Sequence, residues 1–101
     1  MRKWSRILTR DAFCRYIAQS RFEGEGLSFV IRDDGSFSGI AGGESFAGRW
    51  VWEDGWFCRT LAVGDEPPET DCELIETCGD QMRYTRNRGQ GSASIVHKHR
   101  L

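Results

Sequence analysis

Between residues 27 and 98 the chain is divided into short runs rich in Val, Ile, Phe, Trp and Thr by residues that favour tight turns, and no other feature restricts the fold as strongly. The runs span 27–33, 36–41, 45–53, 56–63, 70–77, 81–87 and 92–98. Asp34-Gly35, Gly42-Gly43, Asp54-Gly55, Pro67-Pro68, Gly79-Asp80 and Gly89-Gln90-Gly91 punctuate them. Connections this short permit hairpins and forbid parallel crossovers, so consecutive strands are expected to pair antiparallel. The expected class is α+β, mainly β: a curved antiparallel meander sheet or small up-and-down barrel of seven strands over residues 27–98. Closing the sheet would remove the edges that invite aggregation.

Ahead of the strands, residues 9–20 read as a helix. Thr9 supplies a cap, Asp11 places negative charge in the first turn, and Phe13, Tyr16 and Ile17 share a face. Leu8 and Phe13 have the spacing of a hydrophobic staple, and Phe22 with Gly24 and Gly26 ends the helix. Such a helix would plug one end of a barrel or cover an open face. With 101 residues the chain is expected to form a single domain, 1–101.

Fourteen Lys and Arg against fifteen Asp and Glu leave a net charge of -1, which gives no support for a nucleic-acid partner. Acidic residues from Asp65 to Asp80 precede basic ones from Arg83 to Arg100, an order explained by opposite charges meeting across neighbouring strands. No stretch approaches the ~20 apolar residues that cross a bilayer. The basic start, Met1 to Leu8, is not followed by an apolar run of signal-peptide length. The reading is therefore cytoplasmic, with no membrane association.

The cysteines, at 14, 58, 72 and 78, lack zinc-site spacing. In a reducing compartment they are expected as free, mostly buried thiols. Cys58 and Cys72 occupy successive strands and can face each other across a ladder, so a disulfide between them is the alternative. His97 and His99 alternate along the terminal strand without a third ligand and are read as a solvated tail, so no metal is expected. Neither a nucleophile elbow nor a Walker or G-x-G-x-x-G motif in strand–helix context occurs, which leaves no catalytic residue and no cofactor to assign.

The segment Gly48-Arg49-Trp50-Val51-Trp52-Glu53-Asp54-Gly55-Trp56-Phe57-Cys58-Arg59-Thr60 concentrates the aromatic residues. Two hairpin registers fit it. A two-residue turn sets Trp52 opposite Phe57 and Trp50 opposite Arg59; a three-residue loop sets Trp52 opposite Trp56 and Trp50 opposite Cys58. At Asp34-Gly35 the three-residue form puts Leu27, Phe29, Ile31 and Phe37 on one face. By analogy, Phe46, Trp50, Trp52, Trp56 and Cys58 are expected inside, with Arg59 outside beside Phe57 and Leu61. A barrel enclosing a cavity would offer Trp50, Trp52 and Trp56 as a ligand platform, with Arg49 and Arg59 placed to stack on them or meet an anion.

Asp33-Asp34-Gly35, the tryptophan segment through Arg59, Asp71-Cys72, and Met82-Arg83-Tyr84-Thr85 with Gly89-Gln90-Gly91 together resemble a family of small uncharacterised alphaproteobacterial single-domain proteins, often labelled dihydrodipicolinate reductase. The similarity runs from Leu27 to the end, and W-x-W-x-D-G-aromatic-F-C-R is its most specific part. It implies a shared small β fold with Trp50, Trp52, Cys58, Arg59 and Cys72 as motif positions. The label implies a Rossmann reductase with a glycine-rich cofactor loop and a second domain in a much longer chain; this sequence has neither. The functional expectation is a non-enzymatic small-ligand-binding or protein-interaction module, reminiscent of ligand-carrying lipocalin-like barrels. The alternatives are a homo-oligomeric structural protein, such as a homodimer, and an enzyme of the labelled or thiol-redox type.

Overall fold

The computed structural model describes residues 3–101; the first two residues of the expected 1–101 domain lie outside them. Strand β1 (Ser5–Arg6) leads into helix α1 (Arg10–Ile17) and strand β2 (Ser20–Gly24). The meander follows as β3 (Leu27–Ile31), β4 (Ser36–Ala41), β5 (Glu44–Glu53), β6 (Trp56–Val63), β7 (Glu69–Cys78) and β8 (Gln81–Thr85). A single turn, α2 (Arg86–Gly89), connects to β9 (Ala93–Arg100). The seven expected strands are present with shifted ends, and β1 and β2 are two more.

The helix is shorter than its sequence suggests, and the residues it gives up close the barrel. Thr9 Oγ1 accepts the Ala12 N–H at 3.2 Å, as a capping residue should. At the other end Ala18 is extended and Gln19 takes φ +51, so the chain turns sharply after Ile17. Ser20 and Phe22 then face inward while Arg21 faces out, the alternation of a strand. Phe22 pairs with Phe29 of β3 on one side and Lys98 of β9 on the other. Strands β2 to β9 thereby form a closed antiparallel barrel of eight, with β8 completing the ring against β7. The terminal strand expected over 92–98 is its closing strand, extended to Arg100, and the His97 and His99 side chains are solvent-exposed as expected.

Strand β7 belongs to two neighbourhoods. Glu69 to Glu73 pair with β6, whereas Leu74 to Cys78 pair with β8. Where β6 no longer reaches, β1 takes over the edge, opposite Glu76 and Thr77. The acid-then-base order of the sequence is realised here, with Arg83 Nη2 2.9 Å from Glu76 Oε1.

Eight strands leave an interior just wide enough to be filled by side chains or to hold one small ligand. Two glycines set how the wall of this one curves. A Cβ at Gly39 would collide with Phe29 and the Ser28 carbonyl, and one at Gly48 with the Phe37 ring and the Thr60 carbonyl. Phe29 and Phe37 lie directly across the ladder from these glycines and cover them.

Helix α1 closes the end of the barrel that carries the Asp34-Gly35, Asp54-Gly55 and Gly79-Asp80 turns. Phe13 is fully buried there, its ring 4.8 to 5.2 Å from those of Trp50, Trp52 and Phe57. The Tyr16 hydroxyl donates at 3.0 Å to the Gly79 carbonyl and at 3.2 Å to that of Gln81. Burial, with the nearby Asp80 and Cys78, pushes its pKa up to about 12. The expected staple is absent: Leu8 is 62% exposed, and Ile7, 8% exposed, is buried in its place.

Phe13→Ala should therefore lower the unfolding free energy by about 3–5 kcal/mol, and Leu8→Ala by no more than about 0.5 kcal/mol. Urea denaturation of the two variants checks this, and comparable losses would contradict the plugged-barrel packing.

Candidate functional site

The site follows from the register at Asp54-Gly55. Trp52 lies opposite Phe57 and Trp50 opposite Arg59, so the turn has two residues and not the three expected. Asp54 and Gly55 both take left-handed φ, +53 and +85, as a type I′ turn requires. At the first hairpin the expected three-residue loop does occur, with Arg32 N–H bonded to the Ser36 carbonyl at 2.8 Å. The residue after the glycine distinguishes the two. Ser36 gives both its N–H and its hydroxyl to the Asp34 carboxylate, at 2.9 and 2.6 Å, and holds that carboxyl below its ordinary pKa. Trp56 has no hydroxyl with which to form the second bond.

A one-residue difference in register exchanges the two faces of a strand. Phe57, Arg59 and Leu61 therefore point into the barrel, while Trp56 and Cys58 point out, the reverse of the expectation. Outside, Cys58 and Cys72 are directly opposed and joined by a disulfide, so the free-thiol expectation is corrected for this pair. Cys14 and Cys78 are free.

Inside, the half of the barrel away from the helix holds a cavity of about 120 Å³. Its apolar wall includes Leu27, Phe29, Phe46, Leu61 and Ile75. Into the same space project Arg59, Glu73, Tyr84 and Arg86. Arg59 and Glu73 are 7% and 4% exposed. Arg59 Nη2 donates to Glu73 Oε2 at 3.3 Å, and its Nη1 to the Glu69 carbonyl at 3.1 Å. Burial pushes the Glu73 carboxyl above its ordinary pKa; the Arg59 guanidinium opposes that rise, and the negative charge of Asp71 adds to it. Burial likewise raises the Tyr84 hydroxyl.

Arg86 is held at the rim by the chain's path. Asn87 and Arg88 take left-handed φ of +54 and +49, so α2 is no ordinary helical turn. The Asn87 N–H donates to both oxygens of Asp71, at 3.2 and 3.1 Å, tying the β8–β9 connection to β7. Arg86 Nη1 donates to Ser92 Oγ at 3.1 Å, and the guanidinium carbon lies 5.7 Å from the Tyr84 ring centre.

Of the five ligand candidates from the sequence, Arg59 alone lines this cavity. Trp50 is buried beneath the helix, with its Nε1 donating to the Arg32 carbonyl at 2.9 Å. Trp52 donates to the Leu8 carbonyl at 3.0 Å. Trp56 is on the outside under the Arg6 guanidinium, 4.4 Å from its ring centre, and Arg49 donates to the Asp34 carbonyl at 3.3 Å. Sequence reasoning missed Glu73, Tyr84 and Arg86. Glu73 shares a face with Ile75, a signal readable only once the inward face of β7 is known.

Among the described residues, no group of three or more His, Cys, Asp or Glu side chains is arranged to hold a metal ion, and no helix is long and apolar enough to cross a membrane. No family model, curated protein or solved structure matches the chain.

Two outcomes follow. Replacing both Cys58 and Cys72 by Ser removes a cross-link spanning 14 residues, and should lower stability by about 2–4 kcal/mol in chemical denaturation. The second concerns Glu73, whose folded pKa lies above its unfolded value of roughly 4.3. Its contribution is then fully present below that value and is lost as pH rises through the folded pKa. The stability of the protein relative to Glu73→Gln should accordingly fall across that window. Denaturation curves taken in steps of pH check it, and a difference that grows with pH would contradict the assignment.

Proposed function

We propose that the protein is a small-molecule-binding barrel whose ligand enters the half of the barrel opposite helix α1 and places an apolar body against Phe29, Phe46 and Leu61. The observation that carries this reading is the ion pair in the cavity wall. Withdrawing two charges from water costs several kcal/mol each, and a buried pair is often no more stabilising than hydrophobic residues of similar volume. A barrel selected only for stability would fill this space with aliphatic side chains. Arg59 and Glu73 instead border an unfilled volume of about 120 Å³, which suits a polar group on a bound guest. An engineered apolar cavity of about 150 Å³ holds benzene, so the ligand body is of single-ring or short-chain size. The Trp50, Trp52 and Phe13 cluster serves as the floor of the site, and the disulfide holds its β6–β7 wall from outside.

A library of single-ring and short-chain alcohols, amides and acids tests the proposal through melting temperature. A ligand present at 100 times its dissociation constant stabilises by about 2.7 kcal/mol. At least one compound should raise the melting temperature of the wild-type protein, and Leu61→Trp, which fills the cavity, should abolish that response. A folded wild-type protein indifferent to the whole library would refute the reading.

A further inference from the structure

We propose that the ligand is a small monocarboxylate bound as its anion, with its head group between Arg59 and Arg86; this rests on the ligand-binding reading above. The charges around the cavity carry it. Two guanidinium groups, of Arg59 and Arg86, line the space with one carboxylate, that of Glu73. Asp71, the other acid close by, has its carboxylate committed to the backbone N–H groups of Cys72 and Asn87. Asp71 keeps its negative charge, which acts on Glu73, so two guanidinium groups and two carboxylates balance, and an anion enters without adding net charge only by replacing the one carboxylate free to yield its place, that of Glu73.

Shape narrows the class further. A guanidinium presents parallel N–H donors that match the two oxygens of a carboxylate. Arg59 already gives one nitrogen to the Glu69 carbonyl and the other to Glu73. An incoming carboxylate takes the place of Glu73 against Nη2, and Glu73 takes up a proton from solvent and donates it in a hydrogen bond to the ligand. The groups facing Glu73 are Arg59 from β6, Asp71 from β7, Tyr84 from β8 and Arg86 from α2. Its burial already favours the protonated form, and a second carboxylate beside it strengthens that preference. With that proton taken up, a monocarboxylate leaves the net charge of the site unchanged; a dianionic phosphate ester would add a negative charge, and a neutral alcohol would not replace Glu73 against the Arg59 guanidinium.

The experiment compares benzoate with benzyl alcohol by titration calorimetry on the full chain. Benzoate should bind at least about tenfold more tightly at neutral pH, a difference of about 1.4 kcal/mol. Its binding should take up protons, seen as a buffer-dependent enthalpy, and should tighten between pH 8 and 6. In Glu73→Gln the proton uptake and the pH slope should vanish while benzoate still binds. Arg59→Met combined with Glu73→Leu removes both charges together, a change buried pairs tolerate, and should reverse the preference towards benzyl alcohol. Equal or tighter binding of benzyl alcohol to the wild-type protein would overturn the carboxylate assignment and leave the cavity reading intact. Failure of both compounds to bind would overturn the assignment, and failure of the wider library would overturn the cavity reading with it. Benzoate binding without proton uptake would refute the exchange at Glu73.

Discussion

The two-residue turn at Asp54-Gly55 decides what this barrel contains. Strand side chains alternate strictly, so the turn sets the facing of every residue of β6 at once and, through the ladder, of the first half of β7. With this turn, Arg59 and Glu73 face the interior and Cys58 and Cys72 face out. A three-residue loop would bring the cysteines inside and put the arginine in water. The energetic asymmetry is large, since a buried guanidinium tolerates its position only with a partner, and Glu73 is placed to supply it.

The outer and inner pairs are consecutive in both strands: Cys58 precedes Arg59 and Cys72 precedes Glu73. The covalent cross-link on the outside and the ion pair on the inside therefore fix one register from two faces. Below them, the aromatic floor of Phe13, Trp50, Trp52 and Phe57 is held by the capped helix. Above them lies the cavity of about 120 Å³, whose wall holds the rings of Phe29, Phe46 and Tyr84 together with the smaller Leu27, Ala41 and Leu61. The two tryptophans Trp50 and Trp52 lie at the helix-covered end, packed on Phe13.

Much of this architecture is legible in the sequence. The turn residues mark the seven strands from β3 onward, the shared face of Leu27, Phe29, Ile31 and Phe37 sets the length of the Asp34-Gly35 loop, and Thr9 marks the helix start. Strand β2 was hidden because Ser20-Arg21-Phe22-Glu23 follows a helical pattern without a glycine or proline, and the break lies in the left-handed φ of Gln19, a residue with no special preference for it. The site was less legible. Trp56 and Cys58 look like core residues by composition, and only the turn chemistry after Gly55 sends them out. Glu73 lies in an acidic stretch whose other members reach solvent or strand neighbours, so nothing in its local context marks it as buried.

The account is tested most directly by the pairing of β5 with β6 in solution. Nuclear Overhauser contacts between backbone protons of isotopically labelled protein report which residues lie opposite one another. Cross-strand contacts joining Trp50 to Arg59 and Trp52 to Phe57 are the predicted result. Contacts joining Trp50 to Cys58 and Trp52 to Trp56 would contradict it, and with it the interior placement of Arg59.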